Sequence, residues 1–245
     1  MKPVLLVIAH GSRDPRHAAT VHALVRRVRS LRPDVRVETG FLDFNIPSVQ
    51  GVLQSLAAEG VRDVVALPLL LTRAFHAKAD IPAVLRDAPP QLRIRQAEVL
   101  GPSPLLLSAL ERRLYEAGLT PADKSSTGVV LASAGSTDPE AIAVIADIAR
   151  EWRHTGWCAV RPAFASAALP RTEDAVRELR ALGCARVAVA PYVLAPGFLP
   201  DRIARGAAEA DVLAEVLGPA PEVARVLLRR YDAASSARVL LPVSA

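Results

Sequence analysis

Residues 4–13, VLLVIAHGSR, join six apolar residues to a histidine and a glycine. An apolar run between a proline and a turn predicts a strand buried on both faces, as at the centre of a parallel sheet. In open α/β sheets, ligands bind beyond the carboxyl ends of the strands, so the residue that leaves this strand lies at the expected site. That residue is His10.

A second histidine follows a second apolar run. His76 comes after residues 64–71, VVALPLLL, which also predict a buried strand. A lone histidine at a strand end can simply hydrogen-bond a loop, because imidazole both donates and accepts. Two histidines at the same edge of one parallel sheet can instead bind one ion, so the pair indicates a site.

Length and composition bound the class of protein. The 245 residues suit one large domain or two of about 120 residues. No apolar run reaches the roughly 18 residues of a membrane span, and the first residues lead into a strand rather than a signal peptide. We therefore expect a cytoplasmic protein with no membrane partner. Cys158 and Cys184 lack CxxC spacing and are expected to be reduced core residues.

The charge is positive, with 30 Lys and Arg against 25 Asp and Glu and a net charge of +5. The arginines are spread over the predicted helices, without interleaved aromatic residues or a basic tail, and this pattern argues against a nucleic-acid partner. A polyanionic small molecule fits the charge better.

Strands and helices alternate along the first half of the chain, which predicts four β-α units and an α/β fold. Residues 120–127 are polar, with one proline and two serines, and they interrupt the pattern. We expect an N-terminal lobe at residues 1–119, a linker at 120–127 and a C-terminal lobe at 128–245.

The second half repeats the first. Residues 129–139, VVLASAGSTDP, match residues 5–15, LLVIAHGSRDP, at an offset of 124. The spacing of phenylalanine, proline and glycine in the next 60 or so residues recurs at an offset of 123. The sequence therefore predicts an internal duplication, with two similar lobes that each hold a four-stranded parallel sheet flanked by helices.

The repeat also acts as an internal control for function. The glycines and prolines that shape the backbone are kept in both halves, whereas three ionisable residues are present in the first half alone. Their joint absence from the second half suggests that they act together, in one site of the N-terminal lobe. The three residues and their counterparts are His10 and Ala134, Asp43 and Ser166, and His76 and Leu199.

Two imidazoles and a carboxylate can bind Fe²⁺, Co²⁺, Ni²⁺ or Zn²⁺ and leave coordination positions open. His10, Asp43 and His76 are too far apart in sequence for a zinc finger, so the fold must assemble the site. Neutral imidazoles can also accept protons from a bound substrate. For Asp43 alone, a role in a turn or helix cap remains an alternative.

Several polar and basic residues lie in loops at the same predicted edge. Solvated surface charge explains any one of them, but a group beside a metal-type site is typical of a clamp for carboxylates. These candidate substrate-binding residues are Ser12, Arg13, Arg16, Arg73 and Lys78.

Three segments together resemble the sirohydrochlorin chelatases of the class II chelatase superfamily, in their long, two-lobed form. They are HGSRDPR at 10–16, FLDFNIPSV at 41–49 and LLLTRAFHAKADIP at 69–82. The resemblance implies a lyase that inserts Fe²⁺ or Co²⁺ into sirohydrochlorin, a tetrapyrrole with eight carboxylates, on the way to siroheme or cobalamin. The metal ion is then a substrate, and no redox cofactor or nucleotide is implied.

By position, the resemblance implies that His10 and His76 are the metal ligands, and that one or both of them help to remove the pyrrole protons. Asp43 stands where many relatives carry a glutamate, so its reach is shorter. The macrocycle is expected in the cleft between the lobes. A monomer is expected, because the second lobe can supply what a second subunit supplies in short relatives.

Three alternatives remain. The same pocket would suit a tetrapyrrole or metal carrier without turnover, or a chelatase for another tetrapyrrole or for another ion such as Ni²⁺. For the chelatase that inserts Fe²⁺ or Co²⁺, Ni²⁺ and Zn²⁺ are the further ions expected in vitro. A histidine after the first strand also occurs in histidine phosphatases, but there an arginine precedes it, and here Ala9 does.

Overall fold

The structure is a computed structural model that describes residues 2–73 and 76–236, and of residues 76 and 77 it describes the backbone alone. Within these residues, eight strands form two parallel four-stranded sheets. The predicted α/β fold with two similar lobes is confirmed. The division at residues 120–127 stays a prediction; residues Pro121–Ser126 form a short 3₁₀ helix there.

The N-terminal sheet has the order β2-β1-β3-β4. Its strands are β1 (Val4–Ala9), β2 (Val37–Phe41), β3 (Asp63–Pro68) and β4 (Arg93–Gln96). The helices are α1 (Pro15–Leu31), α2 (Val49–Ala58), α3 (Ile81–Arg86) and α4 (Pro104–Glu116), and a π-helix spans His76–Asp80. Every residue of β1 is buried, as its unbroken apolar run predicts for a central parallel strand.

The C-terminal sheet has the matching order β6-β5-β7-β8. Its strands are β5 (Thr127–Ser133), β6 (Ala159–Phe164), β7 (Arg186–Tyr192) and β8 (Val212–Leu213). The helices are α5 (Pro139–Arg153), α6 (Thr172–Ala181), α7 (Phe198–Gly206) and α8 (Pro221–Ser236). The same order in both sheets is what an internal duplication predicts.

The two helices that follow the central strands begin in the same way. Asp14 caps α1 by accepting a hydrogen bond from the Arg16 N–H, and Asp138 caps α5 by accepting one from the Glu140 N–H. A proline then occupies the first helical position in each, where its fixed φ suits the helix and its missing N–H costs nothing. Both helix starts are therefore fixed locally by the repeated Asp-Pro pair.

The lobes exchange their last helices. Helix α8 packs against α1, α4 and β3 of the N-terminal lobe, while α4 packs against β7 of the C-terminal lobe. Tyr231 on α8 is 1% exposed, and its hydroxyl donates to the Pro3 carbonyl at 2.7 Å. One apolar core consequently runs through both lobes, and the sequence pattern gave no sign of this exchange.

Cys184 is buried as predicted, but the prediction of a core position is wrong for Cys158, which is exposed because it lies just before β6, at the sheet edge. Of the helices that the structure describes, none combines the length and the apolar character needed to cross a bilayer.

Candidate active site in the cleft between the lobes

A cavity of about 380 Å³ lies between the two lobes. It is lined from one side by residues at the carboxyl ends of β1 and β3, and from the other by residues at the carboxyl ends of β5 and β7. This is the edge at which open parallel sheets bind ligands. Because the sheets face each other through these edges, one cleft serves both lobes.

The cavity walls are mostly apolar, with a few polar groups among them. Two of these groups, the Ser133 and Tyr192 hydroxyls, are buried and have no hydrogen-bond partner among the described residues. Burial raises the pKa of Tyr192, so its hydroxyl stays neutral. The apolar part of the wall includes Leu69, Leu70, Ile142, Ile145, Val193 and Leu199.

His10 is the residue that leaves β1, and it lines the cavity, half-buried. Its Nδ1 lies 3.3 Å from the Gly11 carbonyl oxygen, and its ring stacks on Phe44 with centroids 6.3 Å apart. The exposed Phe44 ring also receives the Arg13 guanidinium, 5.1 Å from its centroid. The Phe44 ring thus has both an imidazole and a guanidinium group as neighbours.

Gly11 lets the loop after β2 approach His10. Its φ is +95°, and a Cβ at this position would lie 1.9 Å from the Asp43 carbonyl oxygen. The Asp43 N–H donates to the His10 carbonyl at 2.9 Å. Only glycine combines this φ with so close a backbone contact, so residues 10 and 43 are held side by side.

Asp43 is exposed, and its carboxylate accepts a hydrogen bond from the Phe44 N–H at 2.8 Å. This contact is the local turn role that the sequence left open. A role as a metal ligand stays a prediction.

The side chain of His76 lies outside the described residues, so the meeting of two imidazoles also stays a prediction. The backbone of His76 begins the π-helix that follows β3. Among the side chains that the structure describes, which exclude His76, no three His, Cys, Asp or Glu residues form a group able to hold a metal ion.

The predicted substrate-binding residues lie in different surroundings. The Ser12 N–H donates to the Asn45 side chain at 2.8 Å, and the Ser12 hydroxyl accepts from the Asp14 N–H at 3.1 Å. Arg73 is exposed and lines a second hollow together with Lys78. The structure therefore gives Ser12 a role in shaping the loop after β1.

Arg16 and Lys78 form ion pairs with the opposite lobe. Arg16 Nη2 lies 2.7 Å from Asp201 Oδ2, in addition to its contact with Asp14. Lys78 Nζ lies 2.8 Å from Asp138 Oδ2 and 2.7 Å from Glu140 Oε2. The hydrogen bond to Asp138, followed by that to Glu140, raises the pKa of Lys78, so the side chain is charged at neutral pH.

His17 is a site residue that the sequence reasoning missed. It lines the cavity from the first turn of α1, and its Nδ1 is buried without a hydrogen-bond partner among the described residues. Burial, and then the nearby His10, lower the pKa of His17. The available signal was helical spacing, because His17 continues the buried stripe formed by Val21, Leu24 and Val28.

The C-terminal lobe repeats the backbone of the site without its ionisable groups. Gly135 has a φ of +93°, and a Cβ there would lie 1.9 Å from the Ser166 carbonyl oxygen. The Ser166 N–H donates to the Ala134 carbonyl at 3.0 Å. Leu199, the counterpart of His76, lines the cavity. The two halves therefore share geometry but differ in chemistry.

Comparison with known proteins gives the same two-part pattern. A family model described as CbiX matches residues 4–117 and again residues 128–234. Sirohydrochlorin cobaltochelatase of Priestia megaterium is 32% identical over 210 residues, which cover 83% of this chain and 67% of the relative. Sirohydrochlorin ferrochelatase of Bacillus subtilis (strain 168) is 27% identical over 211 residues, which cover 84% of this chain and 79% of the relative.

A solved structure, SirB from Bacillus subtilis with Fe³⁺, superposes with a TM-score of 0.80 at 24% identity and covers 96% of both chains. At that identity the likeness establishes the shared fold, and membership of a family rests on the sequence matches over both lobes. The chain therefore belongs to the CbiX family, that of the sirohydrochlorin chelatases.

Proposed function

We propose that this chain is a sirohydrochlorin chelatase, which inserts Fe²⁺ or Co²⁺ into sirohydrochlorin. One observation carries the proposal: His10, at the carboxyl end of β1, lines a largely apolar cleft between two parallel-sheet lobes. Relatives named as cobaltochelatase and ferrochelatase support this reaction class.

The cleft suits a flat, polyanionic macrocycle. Its apolar walls fit the faces of a tetrapyrrole ring, and the cations near its rim fit the carboxylates at the ring edge. Ser12, Arg13, Arg16, Arg73 and Lys78 are the residues proposed to bind these carboxylates.

In the proposed mechanism, His10 and His76 are the metal ligands, with Asp43 beside His10 as the third. The imidazoles replace part of the water around the ion, and the ion passes to the ring nitrogens as two pyrrole N–H protons leave. A neutral imidazole can accept such a proton. Because the ion is a substrate, the protein must bind it weakly enough to release it.

The metal is the only inorganic participant in this proposal, and no further cofactor is proposed. Fe²⁺ and Co²⁺ are the proposed substrates, and Ni²⁺ and Zn²⁺ are expected to be accepted in vitro. A monomeric state and a cytoplasmic location stay predictions from the sequence.

An anaerobic steady-state assay tests the proposal. Purified protein is mixed with sirohydrochlorin and an excess of Fe²⁺, Co²⁺ or Ni²⁺, and the absorbance of the macrocycle is followed. Many turnovers per protein chain are expected with Fe²⁺ or Co²⁺. Conversion that stops after one equivalent would instead indicate a carrier, and no acceleration of insertion with any ion would exclude the chelatase.

A further inference from the structure

The two ion pairs across the cleft are related by the internal repeat. The first joins Arg16 to Asp201, and the second joins Lys78 to Glu140. In the sequence repeat, position 16 corresponds to position 140 at an offset of 124, and position 78 corresponds to position 201 at an offset of 123. The same two repeat positions therefore pair in both cases, with both charges reversed.

The reversal puts the cations on one lobe and the anions on the other. Arg16 and Lys78 belong to the N-terminal lobe, with its candidate metal site, while Asp138, Glu140 and Asp201 belong to the C-terminal lobe. If the pairs served only to hold the lobes together, either orientation of charge would serve equally well. A substrate with carboxylates, in contrast, needs the cations.

Both pairs lie beside the cavity. Asp201 directly follows Leu199 and Pro200, which line the cavity, and Glu140 directly precedes Ala141, which lines it too. Each carboxylate consequently occupies a position next to a cation at the rim of the cleft.

The pairs are exposed enough to exchange partners. The Arg16 and Asp201 side chains are 52% and 47% exposed, and those of Lys78 and Glu140 are 37% and 80% exposed. Solvent-exposed ion pairs are weak, because water competes with both partners. A carboxylate from solution can therefore replace an internal one at little net cost.

The size of the cavity brings the substrate to these pairs. Its volume of about 380 Å³ is near the lower end of the roughly 300–1,000 Å³ typical for drug-sized ligands. A tetrapyrrole with eight carboxylates is larger than such ligands, so part of its edge must extend past the cavity wall. The two ion pairs lie beside that wall, where carboxylates at the ring edge would meet them.

We propose that Asp138, Glu140 and Asp201 stand in for substrate carboxylates at Arg16 and Lys78, and that the substrate displaces them when it enters the cleft. These three acidic residues thereby determine how tightly the polyanionic substrate binds. The inference rests on the proposed function, since it takes the octacarboxylate tetrapyrrole as the substrate.

Metal-free binding of sirohydrochlorin, followed by its fluorescence, tests the inference without requiring chelation. Asp201→Asn and Glu140→Gln remove competing charges with little change in shape, and each is expected to lower the Kd about three- to tenfold. The double variant is expected to bind more tightly than either single one. A damaged fold does not produce tighter binding. A gain in affinity for sirohydrochlorin therefore distinguishes competition with the substrate from a purely structural role of these carboxylates.

Asp232→Asn is the matched control. Asp232 also forms an ion pair between the lobes, with Arg32 at 3.0 Å, but beyond the far end of α1 from the cleft. The Kd of the Asp232→Asn variant for sirohydrochlorin is expected to equal that of the wild type. An unchanged or higher Kd in Asp201→Asn and Glu140→Gln, or an equal fall in Asp232→Asn, would overturn the inference alone. Failure of the wild type to bind sirohydrochlorin would overturn the proposed function as well.

Discussion

Gly11 and Gly135 hold equivalent turns, and in each the backbone of the next loop fills the space where a Cβ would lie. We expect Gly11→Ala and Gly135→Ala each to lower the free energy of unfolding by about 3 kcal/mol or more, through positive φ and overlap together. Gly60→Ala is the control, because Gly60 has a φ of +80° with open space around it, and its cost should be about 1 kcal/mol. Urea unfolding measures all three. A near-neutral Gly135→Ala would mean that the two turns are not equivalent.

His17 should make stability depend on pH. Its pKa lies below the ordinary 6.5 because of burial and the nearby His10, so below that pH the unfolded chain takes up a proton that the folded protein does not. The contribution to stability is therefore complete above the ordinary pKa and is lost as the pH falls below it. The His17→Leu variant removes this loss.

Between about pH 7.5 and about pH 5.5, we expect the wild type to lose a few tenths of a kcal/mol more stability than His17→Leu, a small difference because the imidazole is only partly buried. Urea titrations at both pH values measure it. His154→Leu, at the exposed end of α5, is the matched control. Equal losses in the wild type and His17→Leu would refute the assigned direction of the pKa.

Among single residues, the apolar run predicted that His10 leaves a strand at the ligand-binding edge, and the structure has His10 on the cavity wall after β1. Its position beside Asp43 follows from the glycine turn. Its role in the site stays a prediction. The partners of Arg16 and Lys78 were not predictable, since they come from the other lobe and no local pattern encodes the distance. His17 was within reach, because it lies on the buried stripe of α1.

At the scale of elements, apolar periodicity predicted alternating strands and helices in the first half of the chain, and the N-terminal lobe has four strands with helices between and after them. The predicted third strand, in contrast, extended to about residue 71, whereas β3 ends at Pro68. Proline cannot donate a ladder hydrogen bond, and the three leucines that follow it line the cavity instead. One apolar run can therefore contain a strand and, after it, residues that line a cavity.

At the scale of the whole molecule, the repeat predicted two lobes but not the exchange of α4 and α8 between them. A repeat shows which segments are alike, whereas the packing partner of a terminal helix depends on long-range geometry. The consequence is that each lobe depends on the other for part of its core.

This dependence predicts the behaviour of a truncated chain. Residues 1–119 alone lack α8, which packs against α1, α4 and β3 with Tyr231 buried among them. Without this helix, the apolar surface that it covers on α1, α4 and β3 is exposed to water. We expect this fragment to aggregate or to unfold without a cooperative transition, as judged by size-exclusion chromatography and circular dichroism in urea. The full-length chain is the control. A monomeric fragment with a sharp transition would show that the exchanged helix is dispensable.

The central claim is that chemistry resides at the end of β1 in one lobe. The most direct test is the rate of Co²⁺ insertion into sirohydrochlorin by His10→Ala, with His154→Ala as a substitution of the same kind on the surface. We expect the insertion rate of His10→Ala to be lower than that of the wild type by at least about a hundredfold, in the range for loss of a proton-accepting or ligating group. The circular dichroism spectrum of the variant should stay like that of the wild type. A folded His10→Ala protein that inserts Co²⁺ within about threefold of the wild-type rate would contradict the claim, since a group of this kind contributes about a hundredfold or more.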